Sequence, residues 1–207
     1  MQSLTVSTDI SDTTRTGRNA YSTFYNESRV RFSKLAGILA LALLLRGDVR
    51  NCACDVAKPE TMAARECGLC REAEKQPADA IVFFVKDINP NKPNRWLALP
   101  RAHTHAFQDL PPEVRLALWN ATIEKARSMW GDQWGLAFNG DERRTQCHLH
   151  IHIGKLLDNV ETPNFVVVDG PAGIPIPTDG TGFWVHPVGG KLHVHSGEQV
   201  TEFVLMR

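Results

Sequence analysis

The chain has 207 residues, 43% of them from the hydrophobic set, so it can bury one full core, and no internal repeat marks a solenoid or propeller. Lys plus Arg and Asp plus Glu are 23 each, giving a formal net charge of +0. That balance excludes a global field that would recruit nucleic acid, so any polyanion must be held by a local patch.

Residues 1–28 are rich in Ser, Thr and Asn and lack apolar periodicity, whereas 29–34 are basic and lead into the eleven-residue apolar run Leu35–Leu45. Basic residues before a short apolar run form a signal-peptide layout, and Arg46 ends the run well short of the roughly 17–25 residues that span a bilayer. Residues 1–50 therefore read as an N-terminal extension with a signal-like or anchor segment, with translation starting near Val30. The expected location is exported or tethered to the inner membrane on its periplasmic side. If 35–45 is instead a buried Leu/Ala helix, the location is cytoplasmic.

Residues 51–78 form a lead-in carrying Cys52, Cys54, Cys67 and Cys70. In an oxidising compartment four such cysteines read as two disulfides. In a reducing one they read as a zinc site built on Cys67 and Cys70 and completed by histidines such as His103 and His148. Cys147 is the odd one and reads as a small packed residue.

From 79 to 157 the pattern is that of a compact α+β core. The β-rich run Ala80–Val85, the breakers between Asp87 and Asn94, and the second run Arg95–Leu99 predict two neighbouring antiparallel strands. Asp109 and the prolines at 111 and 112 predict a helix start, with Leu116, Trp119, Ile123, Ala126 and Trp130 recurring along one face and Gly131 ending it. A third strand follows at Gly135–Phe138. In Gln146–Lys155, His148, His150 and His152 alternate with Leu149, Ile151 and Ile153, so on a strand the three imidazoles share one face and the aliphatics the other. Three rings that titrate near neutral pH suit phosphate, metal or proton-transfer chemistry.

Residues 158–207 read as a loop and β-rich extension, with strands at Phe165–Val168 and Gly182–His186 and a closing hairpin of Leu192–His195 with Val200–Met206. His193 and His195 share a face, which suits a phosphate contact or a metal pair, although no carboxylate adjoins them in sequence.

The segment Asp87-Ile88-Asn89-Pro90-x-x-Pro93-x-x-x-Leu97-x-Leu99-Pro100-x-x-His103, followed by His148-Leu-His150-Ile-His152-Ile-Gly154, resembles the histidine-triad (HIT) superfamily. Cys67-Gly-Leu-Cys70 is similar to the Cys-x-x-Cys that opens many members, so the likeness covers about residues 67 to 155. Arg144-Thr145-Gln146-Cys147-His148-Leu149-His150-Ile151-His152-Ile153 is most similar to the CDP-diacylglycerol pyrophosphatase branch. The resemblance implies a HIT-like antiparallel sheet with one main amphipathic helix. It also implies attack by a neutral imidazole on the α-phosphorus of a nucleotide, giving a nucleotidyl-histidine that water hydrolyses. Two registers are open. The literal motif centres the triad on His150, whereas the Asn139 to Gln146 spacing makes His150 and His152 its first and central members and puts Gly154 in the third place.

Taken with the residue chemistry, this predicts a phosphohydrolase acting on a nucleotide pyrophosphate bond. His150, His152 and His148 are the candidate catalytic residues, and Asn139, Arg144, Thr145, Gln146 and His103 would bind substrate phosphate. The chemistry itself needs no cofactor, and structural zinc stands as the rival to disulfides. The expected substrate is a nucleotide or nucleotide-linked lipid such as CDP-diacylglycerol, with membrane association and a HIT-type homodimer as family-level expectations. One alternative is a HIT hydrolase or transferase on soluble dinucleoside polyphosphates or phosphoramidates. Another is a non-catalytic zinc- or nucleotide-binding module.

Overall fold

The computed structural model describes residues 49–207. The signal-like run 35–45, the start near Val30 and nearly all of the 1–50 extension lie outside the described residues. Seven strands form one sheet: β1 (Val82–Lys86), β2 (Trp96–Pro100), β3 (Trp134–Phe138), β4 (Ile151–Lys155), β5 (Val166–Val168), β6 (Gly182–Val188) and β7 (Lys191–Glu198). Their order across the sheet is β1-β2-β4-β3-β6-β7-β5, and every neighbouring pair is antiparallel. Two α-helices accompany it, α1 (Gly68–Glu74) and α2 (Pro112–Trp130), which makes the architecture α+β.

Helix α2 begins on Pro112 and ends where Gly131 takes φ 58° and donates its N–H to Arg127 O, a left-handed exit that suits glycine. Its buried face is Leu118, Trp119, Thr122, Ile123 and Ala126, while Leu116 is 38% exposed. The predicted stripe was therefore displaced at its start, because the helix begins beyond Asp109 and turns Leu116 to solvent. That face packs on Ala98, Leu136, Phe138, Ile151, Ile153, Phe183, Val185 and Val194, which are the inward positions of β2, β3, β4, β6 and β7.

The opposite face of the sheet is covered in two places. Helix α1 lays Leu69 and Ala73 on Phe83, Leu97 and Leu99 of β1 and β2. The C-terminal segment lays Val204 and Leu205 on Ala137 and Trp184 of β3 and β6. Gly135 and Gly154 face each other across β3 and β4, and a Cβ on Gly135 would come within 2.6 Å of Leu205. Between these two covers lies His152, on the face of β4 opposite the α2 core.

Two expectations need correction. Residues 200–206 do not pair as a strand: Glu202–Val204 is a single 3-10 turn, and β7 pairs instead with β6 through the Gly189–Gly190 turn and with β5. The histidine row is not all strand either, since β4 begins at Ile151. Cys147 and His148 form a bend, and the segment is held by loops, with Cys147 N–H on Glu66 O and Leu149 N–H on Thr104 O. Alternation still survives, because Leu149, Ile151 and Ile153 all enter the α2 core.

Candidate active site

A cavity of about 610 Å³ opens in the gap between α1 and the C-terminal segment. His150 and His152 line it, with their ring centroids 5.0 Å apart. Its walls come from the β1–β2 loop at Asp87–Asn89, from α1, and from the Asn139–Gln146 loop. Arg65, Lys86 and Arg143 also line it and have no carboxylate partner among the described residues, which gives a formally neutral protein a local basic patch. A separate 530 Å³ depression between α2 and the β5–β7 edge contains no histidine or cysteine.

The hydrogen bonds assign the His150 tautomer. Nδ1 lies 2.8 Å from the carbonyl oxygen of His148, and since that oxygen can only accept, Nδ1 carries the proton. Nε2 is left with its lone pair. Burial, and then the neighbouring His152, depress the His150 pKa to about 3, so the ring is neutral at physiological pH. His152 is likewise depressed to about 4 by burial, although Glu202, 3.7 Å from its Nδ1, pulls the other way.

The same reasoning turns His148 away from the cavity. Its Nε2 donates to Pro100 O at 2.8 Å, so Nδ1 is bare, and that atom is buried without a partner. The ring lies against His103 and Phe83, and one of its nitrogens, the Cys70 sulfur and a His103 nitrogen fall within 4.8 Å of one another. His103 Nε2 is 3.0 Å from Cys70 Sγ. His148 and His103 thus sit beside the cavity rather than on its wall, and a direct phosphate contact from either is not what this geometry offers.

The cysteines pair differently from the expected grouping. Cys52 bonds Cys147 and Cys54 bonds Cys67, which leaves Cys70 a buried free thiol. Cys147 is therefore a cross-link, not a packing residue. The Cys67/Cys70 metal pair is also broken, because the Cys67 sulfur is committed to Cys54. The residues that could still hold an ion there are Cys70, His103 and His148. Burial pushes the Cys70 thiol up to about 11, so an ion would have to displace its proton.

The other expected substrate contacts divide by how far their polar atoms are committed. Thr145 and Arg143 are exposed on the cavity wall. Arg144 is 2% exposed, lies over the Phe138 ring, and donates to His105 O and to Asp141 at 2.6 and 2.5 Å. Gln146 accepts from Leu69 N–H and donates to Arg65 O, which ties α1 to the histidine segment. Asn139 accepts from the Thr201 and Glu202 N–H groups and donates to Glu202 Oε1. These three build the wall instead of reaching into the cavity.

Glu202 was missed by sequence reasoning. It accepts from Lys92 and Arg95 and lines the cavity beside His152. No local spacing links residue 202 to residue 152, so no sequence signal pointed to it. No protein-family model matches the chain, and no curated protein matches it.

Proposed function

We propose that the cavity hydrolyses a nucleotide pyrophosphate bond through a covalent intermediate on His150, in the manner of the HIT superfamily. One observation carries the reading: a neutral, buried imidazole whose Nδ1 proton is fixed on the His148 carbonyl and whose Nε2 lone pair belongs to a cavity with basic walls. In the first step Nε2 bonds to the α-phosphorus while the P–O bond to the leaving phosphate breaks, and that oxygen keeps the electron pair. Water then attacks the same phosphorus and loses a proton to solvent, the P–N bond breaks with its electron pair returning to Nε2, and the neutral imidazole is regenerated. His152, 5.0 Å away ring to ring, is placed to contact a phosphoryl oxygen, and Arg143, Lys86 and the Thr145 hydroxyl supply positive charge and donors on the wall. No step requires a cofactor. An ion on Cys70, His103 and His148 would be structural, acting through the backbone that positions His150.

The finer substrate reading is a nucleotide-linked lipid of the CDP-diacylglycerol type. It is supported by the likeness of Arg144–Ile153 to that pyrophosphatase branch and by the apolar side of the cavity, where Leu69, Val85, Leu97 and the 94% exposed Ile88 lie together. Export is supported by the two disulfides, which persist in oxidising compartments. Among the described residues no helix is long and apolar enough to cross a membrane.

The test compares turnover of CDP-diacylglycerol and diadenosine polyphosphates by wild type, His150→Ala and His152→Ala. Acid quenching of wild type with labelled substrate should trap a nucleotidyl adduct on His150. We expect His150→Ala to lose on the order of 10⁴-fold or more in kcat, with CDP-diacylglycerol the better substrate. Wild-type turnover by folded His150→Ala would remove His150 as nucleophile. Absence of turnover on every substrate would leave the binding-module reading.

A further inference from the structure

A second histidine cluster lies on the same face of the sheet, in β6 and β7. His186 and His193 are directly opposed across the two strands, and His195 opposes Trp184, so two-residue alternation brings three imidazoles to one face. His195 stacks on Trp184 at 3.7 Å between centroids and 4° between planes, and His193 stacks on Phe165 at 4.2 Å. The carboxylate missing from the local sequence arrives from the β4–β5 connection: Glu161 Oε1 lies 3.7 Å from His186 Nε2 and 2.5 Å from His193 Nδ1.

His186 and His195 are 4% and 1% exposed, and the Nε2 atom of each is buried with no hydrogen-bond partner. Two orphaned ring nitrogens beside a carboxylate are costly unless something satisfies them. Thr162 Oγ1 lies 3.1 Å from His195 Nδ1 and holds that ring's outer nitrogen, as outer-shell partners of metal-ligating histidines do. His193 holds Glu161 in the same manner.

We propose that Glu161, His186 and His195 bind a divalent ion of the zinc class, because one donor atom from each falls within 4.8 Å of the others and the Nε2 atoms of both rings are buried without a hydrogen-bond partner. Neighbouring ligands of tetrahedral zinc, at bond lengths near 2.0–2.1 Å, are about 3.3 Å apart, close to the 3.7 Å between Glu161 and His186. Two imidazoles and one carboxylate suit zinc better than calcium or magnesium, which select all-oxygen sets. Three protein ligands leave a fourth position of a tetrahedral ion to water or an anion. The ion also pins the 158–165 connection to β6 and β7, a long-range cross-link among residues that share no covalent one.

The test uses the full chain stripped with chelator and titrated with Co²⁺, whose four-coordinate complexes absorb in the visible and whose sulfur ligands add a near-ultraviolet band. Cys70→Ser removes the only free thiol among the described residues, so the two donor groups are read separately. Should that variant not fold, wild type is used and the sulfur band marks the Cys70 share. We expect Cys70→Ser to bind one equivalent of Co²⁺ with visible bands and no sulfur band, and Zn²⁺ to raise its Tm. Glu161→Gln, at a half-exposed position that does not endanger folding, should weaken that binding by about tenfold or more. Absence of visible bands from folded Cys70→Ser, or unchanged affinity in Glu161→Gln, would overturn the assignment.

Discussion

Arg95 is 1% exposed, and its guanidinium contacts Glu202 Oε2, Glu202 O, Leu205 O and Met206 O at 2.6, 2.8, 2.5 and 3.0 Å. A planar five-donor fork suits this task because three carbonyls and one carboxylate arrive from different directions. Burial alone would raise the Glu202 pKa, but its positive neighbours, His152 and then Lys92 and Arg95, outweigh burial and hold it down to about 2. Because His152 is itself kept neutral above about 4, Lys92 and Arg95 are the cations that act near neutrality. Arg95→Met would strand three carbonyls and leave Glu202 with Lys92 as its remaining cation. Leaving buried acceptors unpaired costs about 1–3 kcal/mol each, so the urea midpoint should fall by at least about 3 kcal/mol equivalent and the segment over β3 and β4 should become protease-sensitive. A loss under about 1 kcal/mol, the range of an exposed pair, would show that the segment holds by its Val204 and Leu205 packing alone.

At the scale of elements, the cavity's α1 wall is joined to the histidine segment through Gln146 and through the cysteines on either side. Cys52–Cys147 closes a separation of 95 residues and Cys54–Cys67 one of 13. Chain entropy assigns about 4–5 kcal/mol to a loop of the first size and about 3 to the second, so their stabilities rank in that order. Cys52→Ser/Cys147→Ser should therefore lower the urea midpoint more than Cys54→Ser/Cys67→Ser does. It should also weaken activity more, since Cys147 lies three residues before His150. The reverse order would mean that the lead-in matters chiefly through its packing on Met62 and Cys70. The strands β1 to β4, helix α2 and the two-faced alternation from Leu149 to Ile153 were legible because each rests on local periodicity. The partner of Cys147 was not, because 95 residues intervene and spacing does not fix connectivity. The segment 200–206 looked like a strand because Val200, Phe203 and Val204 are β-formers. Tertiary demand won there: Arg95 and the bare glycines of β3 and β4 take up its carbonyls and Leu205. Glu202 and Glu161 were invisible for the same reason, each meeting its histidines only after the sheet closes.

Across the whole molecule, acid stability follows from burying neutral imidazoles. Burial holds His148 and His152 at about 4 and His150 at about 3, whereas an unfolded imidazole titrates near 6.5. Above 6.5 neither state binds these protons, so the three rings leave stability independent of pH. As pH falls below 6.5 the unfolded chain takes up protons that the folded one refuses, and stability drops until the folded values near 4 and 3 are passed. Each refused proton contributes a slope of about 1.4 kcal/mol per pH unit. Glu202 adds to the loss at lower pH, since its depressed carboxylate contributes stability present above its unfolded value and lost as pH falls toward about 2. Urea midpoints taken with chelator present, so that no metal competes for the rings, should be level from pH 8 to 7 and fall steadily from 6 to 4. His152→Gln should make that slope shallower by one proton. Midpoints that stay level down to pH 5 would mean the folded state accepts these protons, in which case His150 is not the dry, neutral nucleophile on which the proposed chemistry depends.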